Sequence, residues 1–122
     1  MRTYLLVALL LVTTSVVGQR RVAYRSLEAT YVALNAADVV TTYRAINRGG
    51  YEENPLLRPI ISRPAVFIPV KGLMTLGSLA LLRRIGRDSP KAALVYLSIL
   101  NIGMGAVVYH NYRVTLRIPL GR

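Results

Sequence analysis

The sequence predicts an all-α fold: a polytopic transmembrane helical bundle with three core spans, preceded by a segment that is either signal-like or a fourth span. Three observations predict it. The 122-residue chain is 53% apolar with a mean hydropathy of +0.41, although it carries 16 Lys+Arg against 5 Asp+Glu. One domain of this size in water, with a net charge of +11, would be diluted by polar surface. The basic residues also punctuate the apolar runs, and the runs between them are about as long as a bilayer is thick.

The layout of that charge decides between partners. A nucleic-acid binder gathers Lys/Arg on one face, often interleaved with aromatics. Here Arg20, Arg21 and Arg25 form one cluster, Arg44 and Arg48 the next, then Arg58 and Arg63. Arg83, Arg84, Arg87 and Lys91 follow, and Arg113, Arg117 and Arg122 come last. Most are arginine, whose planar fork suits phosphate headgroups. The expected partner is therefore a lipid bilayer with anionic headgroups, and no nucleic acid. The absence of cysteine excludes disulfides, a thiol nucleophile and Cys-based metal sites.

The first segment, residues 3–18, is an apolar run of 16 residues. As a helix it covers about 24 Å, short of a ~30 Å hydrocarbon core. Arg2, the apolar stretch 5–12, Thr13-Thr14-Ser15 and the small residues before Gly18 also resemble a secretory signal. Arg20 and Arg21 oppose translocation of that stretch. Signal and retained span both stay open for residues 1–19.

The second segment, about 27–46, interrupts its apolar residues with Asn35, Asp38, Thr41 and Thr42. Asn35, Asp38 and Thr42 fall at i, i+3 and i+7, hence on one helical face. Gly49-Gly50 ends the helix. In the following hairpin, Asn54-Pro55 reads as an N-cap with proline at the first helical position, and Pro59 and Pro64 keep the resulting helix short. Leu56, Leu57, Ile60 and Ile61 are too apolar for a free loop, so the hairpin is expected in the interface.

The third segment, 64–82, is long enough to span and carries Pro69 and Lys71, with Thr75 and Ser78 on the lysine's face. The fourth, 92–109, carries Ser98, Asn101, Gly105 and Tyr109 as a small and polar stripe suited to close helix contact. Residues 113–122 form a basic tail.

An ionised side chain at mid-bilayer costs at least ~2.5 kcal/mol on insertion scales, so each needs a partner or a purpose. Depth counted from the hairpin puts Asp38 about 15 Å and Lys71 about 10 Å inside the same face. The two are expected to pair at the heart of the bundle, with Gly105 at their level admitting the fourth segment. The polar intramembrane cluster is thus Asn35, Asp38, Thr42, Lys71 and Asn101. It serves either helix register or the binding of an ion or ligand; Lys71 alone would snorkel instead.

Glu52, Glu53 and Asn54 with the single His110, itself one turn inside the hairpin face, make a second set that could bind a metal or move protons. They match no specific metal spacing, and His110 beside Tyr109 and Tyr112 reads more simply as part of an aromatic belt. No H-E-x-x-H, G-x-S-x-G, Walker or dinucleotide fingerprint occurs. No catalytic site, metal or cofactor is expected.

The stretch Leu34-Asn35-Ala36-Ala37-Asp38-Val39-Val40-Thr41-Thr42, then Arg48-Gly49-Gly50-Tyr51-Glu52-Glu53-Asn54-Pro55-Leu56, then Lys71, resembles a family of small bacterial membrane proteins described as a domain of unknown function, number 5658. The likeness covers about residues 27–112, and by position Asp38, Glu53, Asn54, Pro55 and Lys71 match its polar signature. It implies a helical bundle in a bacterial inner membrane and brings no reaction, ligand or partner. Residues 1–19 depart from the pattern.

The expected function is a small multi-pass membrane protein, an accessory or structural subunit packed in a homo-oligomer or a larger complex. The alternative is an ion-, proton- or ligand-binding protein using Asp38 and Lys71. Seven basic residues on the hairpin side balance seven opposite, so the positive-inside rule favours neither orientation.

Overall fold

In a computed structural model, the described residues are 2–50 and 55–117, with the side chains of 2–5, 7–17, 116 and 117 left aside. They form four helices and no strand: α1 (Arg2–Asn47), α2 (Arg58–Ile61), α3 (Pro64–Asp88) and α4 (Pro90–Arg117). Glu52, Glu53 and Asn54 fall outside the described residues.

The first and second segments share one helix of 46 residues. Charge separates them in sequence, but charge does not break a helix. Gln19, Arg20, Arg21 and Arg25 are good helix formers, and no glycine or proline stands between Gly18 and Asn47. At 1.5 Å per residue α1 is about 69 Å long, more than twice a bilayer core.

α1 stops where the glycines predict. Gly50 N–H donates to the Ala45 carbonyl and Gly49 N–H to the Ile46 carbonyl, both at 2.9 Å. That is a Schellman closure, and Gly49 takes the left-handed backbone it requires, with φ +93°. α2 begins at Arg58 with proline in its first turn, so Pro59 takes the place expected of Pro55, which lies in the preceding turn. Arg63 is extended before Pro64 opens α3.

α3 and α4 are both longer than the apolar runs within them, because Arg83, Arg84 and Arg87 extend one and Asn111 to Arg117 the other. Ser89 alone joins them. Its hydroxyl oxygen accepts the Ala92 N–H at 3.3 Å, an N-cap with Pro90 as the first helical residue. Both helices are long and apolar enough to cross a membrane, over Pro64–Asp88 and Pro90–Thr115.

Side-chain pairs set the register. Glu28 meets Arg83, and Asp38 meets Lys71, so α3 runs antiparallel to α1. Leu27 faces Asn101 and Asp38 faces Asn111, so α4 runs parallel to α1 and packs between it and α3. The apolar core is small: Tyr31, Leu79, Leu82 and the fully buried Leu97. The hairpin end is closed by Tyr43, stacked edge-on against Phe67 and donating its hydroxyl to the Ile61 carbonyl at 3.2 Å.

Polarity is inverted relative to a soluble bundle. Asn35, Asp38, Thr75, Asn101 and Thr115 are buried, whereas Leu73 and Ile102 on the outer faces are 71% and 74% exposed. Gly105 does not admit a neighbouring helix, since a Cβ there would meet nothing within 4 Å. The close approach lies elsewhere: a Cβ on Gly86 would stand 3.3 Å from the Ala93 Cβ, where α3 and α4 leave their shared turn.

Candidate functional site

Asp38 projects from the C-terminal third of α1 into the bundle, with its side chain 9% exposed. One oxygen, Oδ2, receives the Lys71 ammonium at 2.7 Å. The other, Oδ1, accepts from the Asn111 amide at 2.9 Å. A single carboxylate therefore ties α1 to α3 through an ion pair and to α4 through a charge-assisted hydrogen bond.

The surrounding hydroxyls complete the arrangement. Asn111 Nδ2 also lies 3.2 Å from Thr42 Oγ1 and 3.4 Å from Thr41 Oγ1. Thr41 itself donates back to the Ala37 carbonyl, and Thr75 to the Lys71 carbonyl, so both hydroxyl protons stay within their own helices. This leaves their oxygens as acceptors toward the bundle.

The five residues of the expected polar cluster divide. Asp38, Thr42 and Lys71 come together. Asn35 is buried but donates to the Tyr31 carbonyl of its own helix at 2.8 Å. Asn101 sits opposite Leu27, about 16 Å along α1 from Asp38, and its amide bridges the Leu27 and Leu97 carbonyls at 3.1 and 2.9 Å. It joins α4 to α1 by a backbone carbonyl rather than by charge.

Asn111 is the residue that sequence reasoning missed. With the fourth segment ended at Tyr109, Asn111 fell in the interfacial zone. The level expected of Gly105 belongs to Asn111, six residues further along, because α3 runs on to Asp88 and α4 to Arg117, both past the apolar runs that set the count. The signal for it is the absence of glycine and proline from residues 106–117, which lets the helix run on past Tyr109.

Of the hairpin set, Pro55 lies exposed in a turn, while Glu52, Glu53 and Asn54 lie outside the described residues. His110 is exposed on α4. Among the described residues no three His, Asp or Glu side chains stand close enough to hold a metal ion. Arg113 lies over the Tyr109 ring, 5.7 Å from its centroid, and bonds its hydroxyl at 3.0 Å. At the same end Arg48 reaches across to the Thr115 carbonyl in the last turns of α4, at 3.2 Å.

Chemically, the Asp38 centre is closed on itself. Its anion and cation neutralise each other, and both carboxylate oxygens are taken. The group links α1, α3 and α4 through one carboxylate.

A family model matches residues 29–116, and the chain belongs to the family described as a domain of unknown function (DUF5658). The matched stretch contains Asp38, Lys71 and Asn111 and leaves out the first segment. No curated protein and no solved structure matches the chain.

Proposed function

We propose that this member of the DUF5658 family is a multi-pass membrane protein that serves as an accessory or structural subunit, in a bacterial inner membrane as its family resemblance implies. The observation that carries this reading is the inverted distribution of polarity. Large apolar side chains such as Leu73, Met74, Leu76 and Ile102 face outward, while Asn35, Asp38 and Asn101 face inward. In water the outer faces would form an apolar patch far beyond what a soluble monomer exposes. In lipid the same faces are solvated, and the buried polar groups have strong reason to find each other.

The C-terminal part of α1, about residues 27–46, is the third span in this reading, paired with α3 and α4. A three-helix bundle leaves much of each helix surface to lipid or to other helices, which favours a homo-oligomer or a larger membrane complex. Crosslinking in native membranes followed by gentle detergent extraction tests this. Recovery of the chain with itself or with another membrane protein supports the subunit reading, and a monomer at every crosslinker concentration contradicts it.

The second reading, ion or proton binding at Asp38, draws on the rarity of ionisable groups inside apolar helices. The occupied carboxylate weighs against it, since an incoming cation would have to displace Lys71. Flux in liposomes that is abolished by Asp38→Asn would favour this reading over the first.

A further inference from the structure

A cavity of about 510 Å³ lies where α1 passes the turn between α3 and α4. Its wall carries five arginines, Arg20, Arg21 and Arg25 from α1 and Arg83 and Arg87 from α3, together with Tyr24. Only one carboxylate serves this ring. Glu28 takes Arg83 in a fork, Nε to Oε1 at 2.9 Å and Nη2 to Oε2 at 3.3 Å. Arg20, Arg21, Arg25 and Arg87 meet no carboxylate among the described residues.

Four uncompensated guanidinium groups around one hollow repel one another, and the repulsion is relieved by an anion in their midst. Guanidinium forks match the oxygens of a phosphate group in geometry as well as in charge. Tyr24 adds a neutral donor. Its hydroxyl oxygen is buried and makes no hydrogen bond of ordinary geometry, with the Glu28 carboxylate beside it as an acceptor. Burial first, and then the Glu28 carboxylate, hold its ionisation above the ordinary tyrosine range, so at neutral pH it keeps its proton. Ala93 and Leu94 supply an apolar wall on the α4 side, and the volume lies within the ~300–1,000 Å³ of ordinary ligand sites.

We propose that this cavity is a binding site for a phosphate-bearing anion, held by Arg20, Arg21, Arg25 and Arg87 with Tyr24 as hydroxyl donor. If the bundle spans a membrane, as proposed above, the site lies at the headgroup level, and a phospholipid headgroup is one source of the phosphate. A soluble phosphate is the other. Binding requires only the cavity, so the site is testable separately from the membrane reading.

The test uses the full chain in neutral detergent and native mass spectrometry, with phosphatidylglycerol, phosphatidylcholine and inorganic phosphate as probes. Two triple variants remove equal charge from opposite ends: Arg21→Gln, Arg25→Gln and Arg87→Gln at the cavity, and Arg44→Gln, Arg63→Gln and Arg113→Gln at the hairpin end. Phosphatidylglycerol retention is expected to fall about tenfold or more in the cavity triple and to hold in the hairpin triple. Tyr24→Phe, which keeps the ring and the fold, is expected to lower retention by a few-fold. Lipid that inorganic phosphate does not displace identifies a headgroup, whereas displacement by inorganic phosphate identifies a soluble ligand; either result upholds the site. Equal loss in both triples, with helical content unchanged, would show diffuse attraction and overturn it. A chain monodisperse without detergent would remove the membrane reading, and inorganic phosphate binding would then decide the site alone.

Discussion

The middle and the arginine end of this bundle handle charge in opposite ways. At the middle, one carboxylate and one ammonium meet at 2.7 Å, and the remaining carboxylate oxygen is met by an amide. At the end, five arginines border one hollow, and among them only Arg83 meets a carboxylate, that of Glu28, among the described residues. In the membrane reading proposed above, the difference follows from depth. A lone charge at mid-bilayer carries a cost that only an internal partner offsets. A charge near the headgroups has water and lipid phosphate within reach. A closed centre and an open end are therefore what one polypeptide should make of the two environments. The closed centre holds helices together, and the open end is free to bind.

The sharpest way to break this contrast is to empty one side of the central pair. Asp38→Ala leaves the half-buried Lys71 without its anion, and the bundle should lose about 3 kcal/mol of stability against denaturing detergent. Removing both charges with Asp38→Ala and Lys71→Met should cost much less than the Asp38 change alone, because no unpaired ion remains. Next in size is Asn111→Leu. It removes a hydrogen bond to a charged acceptor, and the same unfolding assay should register about 1.5–3 kcal/mol.

The helix contacts give a smaller comparison between glycines. Gly86→Val places a branched side chain where even a methyl would stand 3.3 Å from Ala93, and about 1–3 kcal/mol should be lost. Gly105→Ala enters open space and should be neutral or stabilising by up to about 1 kcal/mol, as alanine favours the helix. Smallest of all is the exposed pair at the open end. Arg83 is 67% exposed, so Arg83→Gln should shift the unfolding midpoint least of these changes, and less still at high salt. A large loss there would erase the distinction between the two regions.

How much of this was legible in the residues depends on which physical rule was at stake. The Asp38–Lys71 pair could be read because two ionisable groups in apolar runs joined by a hairpin have countable depths. The end of α1 was legible because Gly49 and Gly50 supply the backbone that a Schellman closure needs. Two features were not. Arg20, Arg21 and Arg25 look like a boundary between segments, yet helix propensity runs straight through them and α1 is unbroken. Asn111 was hidden because Tyr109, His110 and Tyr112 look interfacial, while α4 runs on past Tyr109 without glycine or proline to Arg117 and holds Asn111 at the level of Asp38. The arginine cavity was visible only as charge clusters, since residues 20–25 and 83–87 converge through tertiary register alone.

The charges inside these helices face inward and answer each other, and everything else about the bundle's middle depends on that. Exchanging them tests it most directly: Asp38→Lys and Lys71→Asp, each alone and together, with unfolding in detergent as the readout. Each single change should be severely destabilising, and the exchange should recover most of the loss, with Asn111 turning its amide oxygen toward the transferred ammonium. An exchanged protein no more stable than the sum of its two single changes would contradict the pairing.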